Sequence, residues 1–249
     1  MFRYLVSVAY DGSDFAGWAK QPKEFTVQGY IEKTLSKTFQ TEITILASSR
    51  TDKGVHALDQ KFTFSLTFLL PLKKIQTILQ KALQDFILVK KVQKVANSFH
   101  PLKNVISKEY RYFISTNSYD IFGKKYCWEY NNPLQVSKLN NILKIFQGQH
   151  DFFNFAYCRQ RNKAKTLTIR TIDYIKAKKE KELVVIKIKS HGFLRYQIRT
   201  IIGEVINCYQ GKQIIKDLQT KLTNFSQLNY KYRSIAPTAG LYLWKIKYR

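Results

Sequence analysis

One succession of hydrophobic periods runs through the chain twice, and this repetition limits the fold more than any other feature of the sequence. Phe2–Tyr10 alternates apolar and polar residues, the period of a half-buried strand. Val27, Ile31 and Leu35 then recur one turn apart behind Thr26, a good N-cap, which predicts a helix. A short strand is expected at 43–47, and Phe62, Phe64 and Leu66 alternate in another. After Pro71, the residues Ile75, Ile78, Leu79, Ala82 and Leu83 line one helical face, and a strand at 87–95 closes the half. The second pass begins with the alternating Tyr110, Tyr112 and Ile114. Leu139, Ile142, Leu143 and Phe146 make a helix face, and 167–174 and 183–190 read as strands joined by a lysine-rich turn, KAKKEKE. Residues 194–209 carry a helical period through Ile198, Ile201, Ile202 and Val205, and 241–246 is the last strand. Two β-α-β-β-α-β units predict an α+β fold of two ferredoxin-like, RRM-like halves. The divide falls where SFHPLKN breaks both periods, giving an N-terminal half at 1–100 and a C-terminal half at 101–249.

Such sheets can bind RNA on an open face, but fold alone does not settle function. The charge balance is more pointed. The 249 residues carry 42 Lys and Arg against 17 Asp and Glu, a formal net charge of +25. Self-repulsion on that scale is unfavourable for a compact chain unless a polyanion is its usual partner, and nucleic acid is the leading candidate. A general enrichment in lysine is the plainer alternative. Only ten of the basic residues are arginine, so each arginine kept points to a need for a planar, bidentate fork rather than for charge alone. Cys127, Cys158 and Cys208 are odd in number and form no CxxC pair, which suggests a reducing cytoplasm and neither a disulfide framework nor a zinc site. The four histidines show no metal-binding spacing, so no metal is expected. No signal peptide and no membrane span is read from the sequence.

Four stretches can carry chemistry. SSRTDKGVHALD, residues 48–59, has no apolar stripe and is expected to lie outside the core, as a loop of about a dozen residues between strands. Asp52 sits there with Arg50 and Lys53 close by, and Gly54 suggests a backbone with positive φ. A solvated loop with an Asx-turn at Asp52 would look the same. In HGFLRYQIRTIIGE, Arg195 and Arg199 are four apart and are expected to share a helix face that suits phosphate or carboxylate, or simply solvent. KEYRYFIS puts Tyr110 and Tyr112 on one side of a strand with Arg111 on the other, fit to stack a base or to fill a core. In APTAGLYLW, Gly240 lets backbone approach a ligand, or merely turns the chain into an edge strand.

Taken together, YDGSDFAGW (10–18), TVQGYIE (26–32), SRTDKGVHA (49–57), KEYRY (108–112), GQHDFFNF (148–155), GFLRYQIRTIIG (192–203) and APTAGLYL (236–243) stand in an order that resembles the TruA family of tRNA pseudouridine synthases. The resemblance runs from Tyr10 to Leu243, and RTDxGVHA is highly specific. It implies a pseudouridine synthase fold with a central catalytic cleft. It implies an isomerase that converts uridine to pseudouridine in the anticodon stem-loop of tRNA, at positions 38, 39 and 40, with no cofactor and no metal. By motif, Asp52 matches the catalytic aspartate and Tyr110 the tyrosine that stacks on the target uracil. Arg199 matches the arginine paired with that aspartate, and Leu241 the apolar lining of the pocket. Arg50 matches an arginine that holds displaced RNA, and Lys53, Lys103 and Arg195 are further candidate RNA contacts. The family is a homodimer holding tRNA across both subunits. The chain departs from the pattern at Leu102, where an arginine is usual, at Ser49 for glycine, at Lys53 for alanine and at Ala19 for glutamine.

The chemistry needs an ionised carboxylate in a dry pocket, whether it attacks C6 of the base or C1′ of the sugar, or abstracts a sugar proton. Burial works against ionisation. A guanidinium at about 4 Å and an effective dielectric of about 20 contributes roughly 4 kcal/mol, enough to offset about three pKa units. Two other functions share these features: an RNA-binding or RNA-folding protein on the same scaffold without the chemistry, and a carboxylate-dependent nucleoside hydrolase.

Overall fold

In the computed structural model, the described residues are 1–117, 121–157, 168–223 and 233–249. In chain order the elements are β1 (Phe2–Tyr10), α1 (Val27–Phe39), β2 (Leu46–Ala47), β3 (His56–Leu66), α2 (Leu72–Leu83), β4 (Ile87–Val95) and β5 (Val105–Ser115). There follow β6 (Trp128–Glu129), α3 (Val136–Leu143), β7 (Gly148–Asp151), β8 (Ile169–Glu180), β9 (Leu183–Ser190), α4 (Gln197–Tyr209), α5 (Ile215–Thr223) and β10 (Leu241–Tyr248). The chain packs as two compact units, one of Met1–Lys108 with Tyr242–Arg249, the other of Glu109–Leu241.

In the first unit the strands run β4-β1-β3-β10, with β2 on β3. β1 is antiparallel to both neighbours, Phe2 facing Leu66 and Arg3 facing Val95, and it is buried without a break from Tyr4 to Val8. β10 joins β3 in parallel, Tyr242 beside His56. Thr26 caps α1 as expected, its hydroxyl accepting from the Gly29 N–H at 3.3 Å. Ile31 and Leu35 of α1 and Ile75, Leu79 and Leu83 of α2 are fully buried, as are Phe62 and Phe64 of β3. The strand expected at 43–47 is only Leu46–Ala47. The reason lies in the preceding helix: the Ile43 N–H donates to Ser36 Oγ and the Ile45 N–H to Glu32 Oε1, so side chains of α1 satisfy groups that a strand partner would otherwise take.

In the second unit the order is β5-β9-β8-β7, with β6 parallel to β5. KAKKEKE is not a turn. Its first residues are β8, and the chain reverses only at Lys181 and Glu182, Lys181 taking φ 55. The alternation of buried Ile175 and Ala177 with exposed lysines decides this, since lysine stems tolerate a sheet's outer face. The strand begins at Ile169, and the expected Leu167, like Cys158, lies outside the described residues. Ile198, Ile201, Ile202 and Val205 are the buried face of α4, which starts at Gln197 rather than at 194. β6, β7 and α5 carry no period strong enough to be read from sequence. β10 runs on to Tyr248.

Candidate active site

The Asp52 stretch is partly core, against expectation. Ser48, Thr51, Val55 and His56 are all buried, while Arg50 and Lys53 between them are exposed. β3 already begins at His56, so the segment between strands is 48–55, shorter than expected. The polar run DQK hides that early start, because its side chains are satisfied inside the sheet. Asp59 accepts from the Ile246 N–H at 2.9 Å and ion-pairs with Lys61 at 3.1 Å. Gln60 donates to the Ser49 carbonyl at 2.8 Å.

The loop is pinned at both ends. Ser48 donates its N–H to the Lys61 carbonyl at 2.8 Å, and its hydroxyl meets the Tyr248 hydroxyl, which also donates to the Pro101 carbonyl. Lys108, at the end of the first unit, donates to the Ser48 carbonyl at 2.6 Å and to Ser49 Oγ at 3.4 Å. Thr51 accepts from the Trp18 N–H at 3.0 Å and pairs with the Tyr10 hydroxyl at 2.9 Å. Val55 N–H donates to the Asp52 carbonyl at 3.1 Å across a turn in which Gly54 has φ 76. Asp52 thus stands half-buried on a loop whose neighbours are fixed by YDGSDFAGW. His56 was not singled out from sequence. It is stacked on Tyr242 at 4.6 Å, and its Nδ1 lies 3.1 Å from the Gly12 N–H and 3.0 Å from Asp11 Oδ1. One ring nitrogen can accept from the first or donate to the second, not both.

In the second unit, Tyr110 is 5% exposed and its ring meets Phe193 edge to face at 5.3 Å. Tyr112 is core: it is fully buried, its hydroxyl donates to the Pro237 carbonyl at 2.8 Å, and burial pushes its pKa up. Arg195 and Arg199 do not share a helix face. Tyr196 takes φ 63, and Gln197 Oε1 caps the Leu194 N–H at 2.8 Å, so α4 begins after Arg195. The two guanidiniums meet over the same ring instead, at 4.8 Å and 5.5 Å from the Tyr196 centroid, and Arg195 also lies 5.1 Å from Tyr157. Arg199 Nε donates to the Ala236 carbonyl at 2.7 Å. Ser234, two residues before, donates its N–H to Glu204 of α4 at 3.0 Å. Leu241 is 5% exposed and follows Gly240, where an added Cβ would lie 2.6 Å from the Phe113 carbonyl oxygen, so the close approach is to β5 itself. Lys103 is exposed in a turn whose N–H groups at 102 and 103 point at His100 Nδ1.

Among the described residues no group of three or more His, Cys, Asp or Glu is placed to share a metal ion, and no helix is long and apolar enough to cross a membrane. A family model described as tRNA pseudouridine synthase matches residues 6–101 and 142–249. The chain is 36% identical to the tRNA pseudouridine synthase A of Mesoplasma florum over all of both chains. It is 38% identical to that of Spiroplasma kunkelii, covering 100% of this chain and 95% of the other. With that of Dictyoglomus thermophilum it shares 34% identity over all of both. The chain belongs to the tRNA pseudouridine synthase family.

Proposed function

We propose that the protein isomerises uridine to pseudouridine in the anticodon stem-loop of tRNA, at positions 38 to 40, with Asp52 as the catalytic carboxylate. The observation that carries the assignment is the pinning of residues 48–55: Ser48, Thr51 and Val55 are buried anchors, and Asp52 between them keeps part of its surface open. A solvated Asx-turn has no need of buried anchors on both sides.

The remaining roles rest on the motif match. Arg199 keeps the carboxylate ionised, Tyr110 stacks on the extruded uracil and Leu241 lines the pocket. Extrusion costs a few kcal/mol, and stacking returns about 1–3 kcal/mol per base. Arg50, Lys53, Lys103 and Arg195, all exposed, contact RNA. Phosphate contacts supply the rest, in keeping with a net charge of +25. Two ferredoxin-like halves, 1–100 and 101–249, belong to the same proposal. The order β4-β1-β3 with β2 on β3 supports the first, and β5-β9-β8 supports the second. Action as a homodimer in the cytoplasm completes it.

The test is to incubate the protein and its Asp52→Asn variant with unmodified tRNA transcripts and to map pseudouridine by chemical-adduct sequencing. The wild type modifies the anticodon arm, and the variant forms no product while binding tRNA normally. An unmodified anticodon arm with wild-type protein rejects the activity. Product at wild-type rate from the variant rejects Asp52. Release of free base identifies a hydrolase instead.

A further inference from the structure

Lysine is seldom buried without a carboxylate. Lys108 is 6% exposed, and what its ammonium meets is the root of the Asp52 loop: the Ser48 carbonyl at 2.6 Å and the Ser49 hydroxyl at 3.4 Å. Ser48 is itself held by the Lys61 carbonyl and by Tyr248. We infer that Lys108 is a positioning residue for the reaction, its charged ammonium clamping Ser48 and Ser49 so that Asp52 is held at its working place. The inference rests on Asp52 being the catalytic carboxylate.

The physical case is one of geometry and charge. Ser48 and Asp52 are four residues apart, with Thr51 already anchored at Tyr10 and Trp18. The clamp at Ser48 and Ser49 and the anchors at Thr51 thus hold the two ends of one short stretch, and releasing the clamp leaves Asp52 held from one side only. A misplacement of about 1 Å costs on the order of 100-fold in rate. A charge-assisted hydrogen bond is roughly twice as strong as a neutral one, so the clamp weakens when the amine loses its proton. Ser49, where the resembled family carries glycine, adds a second acceptor that glycine lacks. Burial brings the ammonium's pKa down to about 8, within reach of ordinary assays.

By place in the chain, the other titratable groups on the segments that hold this cluster are Lys61 and Asp59 of β3, paired with each other; Arg50, Asp52 and Lys53 of the loop; and His100 beside Pro101 in the turn before β5. From β10 comes the Tyr248 hydroxyl, which burial pushes up to about 12 against the opposing Ser48 hydrogen bond, so it keeps its proton throughout the window. These groups and the substrate uracil are common to wild type and to variants at position 108, so comparison across variants isolates the lysine.

The experiment is single-turnover pseudouridine formation from pH 6.5 to 9.5 at saturating tRNA, with tRNA affinity measured alongside, for wild type, Lys108→Arg and Lys108→Met. The wild-type rate falls with a midpoint at about pH 8. Lys108→Arg keeps its rate through that midpoint. Lys108→Met is slower by about tenfold or more, shows no such midpoint, and binds tRNA with unchanged affinity. A wild-type profile that Lys108→Arg and Lys108→Met both reproduce overturns the inference, as does equal loss of rate and affinity. The wild-type and arginine profiles decide the matter even if the methionine variant fails to fold. An Asp52→Asn control that retains product shows that the carboxylate assignment, not the clamp, is at fault.

Discussion

Arg199 and Ala236 exchange two hydrogen bonds: the Arg199 Nε–H donates to the Ala236 carbonyl at 2.7 Å, and the Ala236 N–H donates to the Arg199 carbonyl at 3.0 Å. One edge of the guanidinium is therefore fixed by backbone before any substrate arrives. Its face is set by Tyr196, 5.5 Å from the ring centroid. A lysine at 199 keeps the charge but has no Nε–H to give and no plane to stack. Arg199→Lys is expected to lower single-turnover rate by about 100-fold, with tRNA affinity changed less than about threefold. A rate within a few-fold of wild type removes the argument for a fork.

The two tyrosines on the inner side of β5 separate by their hydroxyls. Tyr112 gives a buried O–H to the Pro237 carbonyl, so Tyr112→Phe leaves that acceptor short and costs about 1–2 kcal/mol of stability, read from the denaturation midpoint. The role given to Tyr110 uses its ring, which Phe193 supports edge to face. Tyr110→Phe should keep most activity, and Tyr110→Ala should lose it. If Tyr110→Phe is as inactive as Tyr110→Ala, the hydroxyl takes part and stacking is not the whole role.

What the sequence disclosed follows how local each cause is. The α1 cap at Thr26 and the buried stripes of α1, α2 and α4 depend on neighbours in the chain, and they were legible. The lysine-rich run in β8 misled because composition resembles a turn, while the alternating Ile175 and Ala177 decide the outcome. The strand at 43–47 failed because Ser36 and Glu32, from another element, take its N–H groups. Arg195 and Arg199 do not share the helix face that their spacing suggests, since a left-handed Tyr196 cannot be read from spacing. Asp52 stood out only through its motif. Nothing in a lysine-rich sequence marks Lys108 as the lysine that is buried among the described residues.

Gly12 tests how tightly the loop is seated. A Cβ there would lie 2.1 Å from the Val55 carbonyl oxygen and 2.4 Å from its carbon, and backbone cannot step aside as a side-chain end can. Gly12→Ala should shift residues 48–55 and cut the rate by at least about tenfold, beyond what its loss of stability explains. Gly211 is the control, with φ +77 and nothing within 4 Å of an added Cβ. Gly211→Ala should cost about 1 kcal/mol of stability and leave the rate alone. Equal rates in the two variants would mean that the packing of Gly12 on Val55 does not set the loop.

Lys108 also makes stability depend on pH, with a sign opposite to its effect on rate. Its folded pKa is about 8, below the ordinary 10.5. Below pH 8 the amine is charged in both states, and the fold bears the full cost of burying it. Between those values the unfolded chain holds more protons than the folded one, so the unfolding free energy rises with pH. The rise from this group is at most about 3 kcal/mol, complete near the unfolded pKa. Other titrations are shared by wild type and Lys108→Met and cancel in their difference. From pH 7.5 to 10.5 the urea midpoint of wild type should therefore gain on that of Lys108→Met, while the wild-type rate declines. Parallel stability curves would place the lysine in solvent and remove the clamp with it. Divergent curves with an undiminished wild-type rate would leave a buried lysine that serves the fold and not the reaction.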